Sequence, residues 1–118
     1  MKENIALEKS YKFALQVIRV YLYLVNEKKE FVLSRQLLKS GTSIGANLEE
    51  AAGAQSRADF IAKAHIVLKE ARETDYWIRL LKDSKILGSD TAEGLREDCL
   101  IIIKILTKTL ITCKTANT

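Results

Sequence analysis

A chain of 118 residues with 47% hydrophobic and 29% charged side chains has the size and composition of a globular domain, which excludes a disordered protein. Its net charge of +4 is mild, and no apolar run approaches the length of a membrane span. With no proline and five glycines, the chain lacks the turn residues that β-sandwiches and barrels need. We therefore expect one domain of long helices over residues 1–118.

Apolar residues at three- and four-residue spacing predict four helical segments. These cover about residues 4–27, 32–52, 57–83 and 91–113. Because the turns between them are short, consecutive helices should run antiparallel. The predicted fold class is an all-α, up-down-up-down four-helix bundle.

Local signals mark the start of two of these helices. Ser34 is a candidate N-cap for the second helix, and Ser56 followed by Asp59 forms a capping-box pattern for the third. Gly41 and Gly45 lie inside the second helix, where each costs about 1 kcal/mol relative to alanine. Close approach of another helix would offset that cost, so we expect tight packing there.

The first and fourth helices carry more apolar surface than one bundle covers. The first has two stripes, which consist of Phe13, Val17, Val20 and Leu24, and of Tyr11, Ala14, Ile18, Tyr21 and Val25. The fourth is apolar on nearly every side, as in a helix that is buried all round. We therefore expect a homo-oligomer whose contacts use these two helices.

Basic residues concentrate in the first and last parts of the chain. Residues 1–48 hold eight Lys/Arg and four Asp/Glu, and residues 100–118 hold three lysines and no acid. If the first and fourth helices are neighbours, that side of the bundle is basic. It is then either a solvated surface or a surface for RNA or DNA. The possible nucleic-acid contacts are Lys12, Arg19, Lys104, Lys108 and Lys114.

Residues for catalysis or metal binding are few. His65 is the only histidine, and Cys99 and Cys113 lie about 21 Å apart along one helix, too far for a disulfide. One histidine and two distant cysteines make too few ligands for a zinc site, and no Ser-His-acid set can be assembled. We expect no cofactor, no metal and no enzymatic activity, in a cytoplasmic protein with reduced thiols.

Polar side chains also lie beside the apolar stripes of the second and third helices. Asn47, Glu70 and Glu73 are the clearest cases, and Arg72 and Arg79 are available to pair with a buried carboxylate. Buried amides and carboxylates must be hydrogen-bonded or charge-paired. We interpret them as a polar network that fixes helix register rather than as the carboxylate pair of a hydrolase.

The most distinctive stretch is QLLKSGTSIGANLEEA at residues 36–51, followed by DFI at 59–61 and KEARETDYW at 69–77. These motifs resemble the four-helix-bundle family of 23S rRNA intervening-sequence proteins, over nearly the whole chain. Gly45 stands where many members have proline, and Ala52 where they have glycine, which suggests a subgroup with the same fold.

The resemblance implies an assembly into a ring, with a pentamer expected, and no enzymatic activity. It also implies a relation to the accessory variability proteins of diversity-generating retroelements, which bind a reverse transcriptase and nucleic acid. The recurrent polar positions of the family match Ser43, Asn47, Glu50, Glu70 and Glu73, and we take them as structural.

Two functional hypotheses follow. The first is a non-catalytic oligomeric scaffold that binds RNA, DNA or a nucleoprotein partner. The alternative is a protein-protein interaction module that has no affinity for nucleic acid.

Overall fold

Four antiparallel helices form an elongated bundle of 50 × 21 × 20 Å. The structure is a computed structural model that describes the backbone of residues 2–116 and the side chains of residues 5–113. The helices are α1 (Lys2–Asn26), α2 (Leu33–Ala52), α3 (Arg57–Asp83) and α4 (Ser89–Ala116). Each packs on its neighbour in sequence, and α4 also packs on α1. The predicted all-α, up-down-up-down bundle is therefore confirmed.

The predicted helix bounds agree closely with those observed. Both ends of α3 were predicted correctly, and Ser56 caps it by accepting a hydrogen bond from the backbone N–H of Asp59 at 3.1 Å. The largest difference is in α4, which extends from Ser89 to Ala116 instead of covering 91–113.

The hydrophobic core is built from one stripe of each helix. In α1 the core stripe is the predicted one, with Phe13, Val17, Val20 and Leu24 all buried. The other helices contribute Leu37, Ile44, Leu48, Val67, Ala71, Ile78, Leu81, Leu95, Cys99, Ile102 and Leu106. Because all four stripes meet along the bundle axis, each helix keeps its remaining faces for solvent or for a partner.

Close packing between α1 and α2 explains one of the two glycines inside α2. A Cβ atom at Gly41 would lie 2.9 Å from both methyl carbons of Val17, which is fully buried. A Cβ atom at Gly45 would lie 3.5 Å from Ser10 Oγ, an ordinary van der Waals distance. The predicted close approach is therefore tight at Gly41 and relaxed at Gly45.

We expect opposite effects from alanine at these two positions. Gly41→Ala should lower the free energy of unfolding by about 1–2 kcal/mol, because the stiff Val17 side chain is held by the core. Gly45→Ala should raise it by about 0.5–1 kcal/mol, since alanine is the better helix former. Urea denaturation of both variants at one protein concentration tests this. Equal stability changes of the same sign would contradict it. In a Val17→Ala background, where the clashing methyl groups are gone, Gly41→Ala should cost much less than in the wild type.

The start of α2 is capped by Glu30, not by Ser34 as predicted. The Glu30 carboxylate accepts backbone N–H hydrogen bonds from Val32, Leu33 and Ser34 at 3.1, 2.9 and 2.7 Å. Ser34 lies inside the first turn, and its hydroxyl donates to the Glu30 carbonyl oxygen at 2.8 Å. Partial burial of Glu30 opposes ionisation, but these donors outweigh it and lower the pKa of the carboxyl below 4.5.

This cap should make stability depend on pH. Because the pKa of Glu30 is lower in the folded chain than in the unfolded one, its contribution is complete above the unfolded value of 4.5 and disappears as the pH falls through the folded value. At pH 7, Glu30→Ala should cost about 1–2 kcal/mol, because three N–H groups lose their acceptor. At pH 3 the difference between wild type and variant in urea denaturation should shrink. Glu27→Ala, at an exposed position three residues earlier, is the matched control.

Lysines occupy left-handed backbone conformations just after α1 and after α3. Lys29 has φ 56° and Lys85 has φ 65°. Beyond each lysine the chain turns back onto the preceding helix, with Glu30 N donating to Leu24 O at 3.0 Å and Ile86 N donating to Leu81 O at 3.1 Å. Glycine is the residue usually found at such a helix end.

Candidate nucleic-acid interface

Basic side chains gather where α1 begins and α4 ends. Because α1 and α4 are antiparallel neighbours, residues 5–12 lie beside residues 100–113. The described side chains of these two stretches include four lysines, Lys9, Lys12, Lys104 and Lys108, and one acid, Glu8. All four lysines are exposed, and Lys12 pairs with Glu8 at 3.1 Å. We call these four lysines the basic end.

The structure divides the predicted nucleic-acid contacts. Lys12, Lys104 and Lys108 belong to the basic end, whereas Arg19 lines another part of the α1–α4 seam with Asp90 and Asp98. The first half of α4 is acidic, so the potential changes sign along the seam. The side chain of Lys114 lies outside the described residues.

A shallow groove follows the seam between α1 and α4. One cavity of about 240 Å³ in it is lined by Lys9, Lys12, Gln16 and Asp98. The Oε1 atom of Gln16 is buried and has no hydrogen-bond donor among the described side chains.

An apolar stripe faces outward from α1. Tyr11, Leu15, Ile18 and Leu22 are 65, 39, 39 and 49% exposed. Each stands two residues before a member of the core stripe, about 200° around the helix, and therefore on nearly the opposite side. The sequence predicted a second stripe on a neighbouring face of α1. Of its members, Tyr11 and Ile18 are exposed in the structure, whereas Ala14, Tyr21 and Val25 are half-buried. We call the four exposed residues the apolar stripe.

The fourth helix adds less exposed apolar surface. Leu100 and Ile101 are 41% exposed and Ile111 is 60% exposed, whereas Ile103 and Ile105 are half-buried against the core. The unmatched apolar surface of the bundle is therefore larger on α1 than on α4.

The five polar residues predicted as a network lie on α2 and α3, and their described hydrogen bonds stay within their own helices. Ser43 Oγ donates to Ser40 O at 2.8 Å, Asn47 Nδ2 donates to Ser43 O at 2.9 Å, and Trp77 Nε1 donates to Glu73 at 3.2 Å. For Glu50 and Glu70, the described hydrogen bonds involve only backbone carbonyl groups, with Gly53 N and Thr74 Oγ1 as donors. A network that joins the five side chains stays a prediction.

One polar contact that joins α2 to α3 is buried. Thr74 Oγ1 of α3 lies 2.9 Å from Ser40 Oγ of α2, and both side chains are buried. Sequence reasoning missed this pair because single hydroxyl residues on apolar faces carry no partner signal.

A second polar contact joins α3 to α4, and of its two arginines sequence reasoning named only Arg79 as a partner for a buried carboxylate. Asp75 accepts hydrogen bonds from Arg79 Nε at 3.1 Å and from Arg96 Nε at 2.9 Å. The i,i+4 spacing of Asp75 and Arg79 is a readable signal. The Arg96 partner depends on the register of two helices, which the sequence does not encode locally.

The arrangement offers little for catalysis. His65 is exposed, and the described residues contain no group of three or more His, Cys, Asp or Glu side chains that could hold a metal ion. Burial raises the pKa of the Cys99 thiol to about 12, so it is an unreactive core residue. A cavity of about 190 Å³ beside Phe60 and Leu106 is largely apolar. Among the described residues, no helix is long and apolar enough to cross a membrane.

These features define a small antiparallel four-helix bundle with a basic end and an unpaired apolar stripe. The sequence matches the 23S rRNA-intervening sequence proteins over residues 2–108, and the chain belongs to that family. It is similar to a crystal structure from Bacteroides thetaiotaomicron, described as a protein of unknown function from the S23 ribosomal protein family. The two share 49% sequence identity with a TM-score of 0.91, over 93% of this chain and 98% of that chain. The comparison with curated proteins gave no match.

Proposed function

We propose that the protein is a non-catalytic homo-oligomeric scaffold that binds the phosphate backbone of RNA or DNA through its basic end. The observation that carries the proposal is that four exposed lysines from two antiparallel helices lie at one end of the bundle, with Glu8 and Asp98 as the acids beside them. Lysine is a suitable point charge for phosphate contacts that do not depend on base sequence. A helical bundle that offers little for catalysis but holds side chains on rigid helices fits this binding role.

The expected assembly of several copies of the chain fits the same proposal. An exposed stripe of four large apolar side chains marks a protein interaction surface, and a second copy of the chain is the partner that the apolar faces of α1 and α4 favour. Each subunit of such an oligomer would contribute one basic end. Several basic ends bound to one nucleic acid increase avidity without new contacts. A pentameric ring, implied by the family, remains the expected form.

Binding to structured RNA and duplex DNA across a salt series tests the proposal. The observed binding constant should fall linearly with salt on a log–log scale, by roughly 0.9 per phosphate contact on duplex DNA. Lys104→Glu/Lys108→Glu should weaken binding by more than about tenfold and reduce the salt slope by about two. Lys39→Glu/Lys69→Glu is the matched control, since it makes the same charge change at exposed positions on α2 and α3.

Equal loss in both double variants would show that net charge alone matters and would contradict a localised site. Absence of binding at low salt would leave the alternative, a protein-protein interaction module that uses the apolar stripe.

A further inference from the structure

Two arginines from adjacent helices share one buried carboxylate. Asp75 of α3 is 9% exposed. Its Oδ2 atom accepts a hydrogen bond from Arg79 Nε at 3.1 Å, and its Oδ1 atom accepts one from Arg96 Nε of α4 at 2.9 Å. The carboxylate therefore lies between two guanidinium groups, one on each of its oxygens, and the three groups together carry a net charge of +1.

Both guanidinium groups keep most of their donors. A guanidinium has five N–H donors, and each arginine uses only the one on Nε for Asp75. No other hydrogen bond from either guanidinium occurs within the part of the chain that the structure describes. The side chains of Arg79 and Arg96 remain 50 and 36% exposed, so an acceptor in solution can reach the terminal nitrogens.

Neighbouring groups fix the position of Arg79. Its Cζ atom lies 5.8 Å from the centre of the Tyr76 ring, a cation-π distance. Tyr76 packs edge-on against Trp77 at 5.1 Å between ring centres, and Trp77 donates to Glu73. Arg79 is thus held by Asp75 and by an aromatic pair, which reduces the entropy lost when a ligand binds.

The charges around the pair leave it available. The hydrogen bond to Asp75 raises the pKa of Arg96, and a guanidinium is charged at every physiological pH. Glu93, the acid next nearest to Arg96 on α4, pairs with Lys82 at 2.6 Å. The first half of α4 is acidic, but the acid that acts on Arg96 there is thus already paired.

We propose that Arg79 and Arg96 form a binding site for a phosphate group, with Asp75 as the positioning residue. A single guanidinium satisfies a planar carboxylate with two parallel bonds. Two guanidiniums from different helices instead match a tetrahedral oxyanion, which has three or more acceptor oxygens. The site is distinct from the basic end, because it lies on α3 and on the first half of α4.

The ligand has two possible sources, which are a free phosphate or phosphomonoester and the phosphodiester of a nucleic acid. Phosphorus-31 NMR separates them when the full chain is titrated at constant ionic strength, first against inorganic phosphate and then against a dinucleotide without terminal phosphate. Saturable shifts with either probe support the site, and the probe that gives them identifies the source. No saturable shift with either probe overturns the proposal.

Variants test whether these two arginines are responsible. Arg79→Lys and Arg96→Lys keep the charge but replace the planar guanidinium, with its several N–H donors, by an ammonium group. Each should weaken binding by about tenfold or more. Lys69→Gln removes one positive charge from an exposed position on α3, about 15 Å along the helix from Arg79, and should change affinity less than twofold. Thermal unfolding shows whether each variant is folded. A loss of affinity in Lys69→Gln equal to that in the arginine variants would show general charge attraction and overturn the assignment.

Discussion

Replacing Leu15 and Ile18 with glutamate should convert the proposed homo-oligomer into a folded monomer of 13.3 kDa. Both side chains are 39% exposed in the single chain, so their replacement removes little from the core of the bundle. In an interface each would bury only its exposed part, worth about 0.6–1.2 kcal/mol, and buried glutamates would add a larger desolvation cost. We expect the dissociation constant to rise by roughly a hundredfold to ten-thousandfold.

Sedimentation equilibrium at micromolar concentration measures this change, and circular dichroism checks that the helices are retained. Gln36→Glu/Ala46→Glu is the matched control, since it introduces two glutamates at exposed positions on α2. This control should leave the mass of the assembly unchanged. A wild-type protein that is monomeric at these concentrations would contradict the proposed assembly.

Asp75→Ala should destabilise the protein by about 2–3 kcal/mol. The variant removes the shared acceptor of two arginines and leaves a small gap between α3 and α4. The cost stays below that of a fully buried ion pair because both arginines are partly exposed to solvent. For a chain of this length, we expect the Tm to fall by about 10 °C.

The Lys82–Glu93 pair gives the comparison for this prediction. It joins the same two helices at 2.6 Å, but both side chains are substantially exposed. Glu93→Ala should therefore destabilise the protein much less than Asp75→Ala. Thermal unfolding at one protein concentration is required, because an oligomer is stabilised by its own association. Equal destabilisation by the two variants would show that Asp75 is no more important than a surface ion pair.

The sequence predicted what depends on local pattern. The start of α3 was correct because Ser56 and Asp59 form a cap that is complete within four residues. The tight packing at Gly41 was expected from the cost of glycine in a helix, although its partner Val17 could not be named. Helix periodicity and short turns were enough for the bundle.

What the sequence could not predict depends on geometry between distant residues or on uncommon backbone. The Glu30 cap escapes the usual patterns because the carboxylate reaches forward from outside α2, after a lysine in a left-handed conformation. The Asp75–Arg96 contact spans 21 residues and needs the register of α3 against α4. The sequence predicted a basic side of the bundle from the adjacency of the first and last helices. It did not predict that Arg19 lies beside the acids of α4, apart from the lysines of the basic end.

The seam between α1 and α4 also has a consequence for how the chain folds. The other helix pairs are joined by turns of a few residues, whereas 62 residues, from 27 to 88, separate α1 from α4. Closing a long loop costs more conformational entropy, and this pair also shares the smallest interface of the four. We expect the three local hairpins to form early and the α1–α4 seam to close last and open first. Transient opening would then expose the inner faces of α1 and α4, which makes exchange of α1 between copies the natural misassembly of this protein.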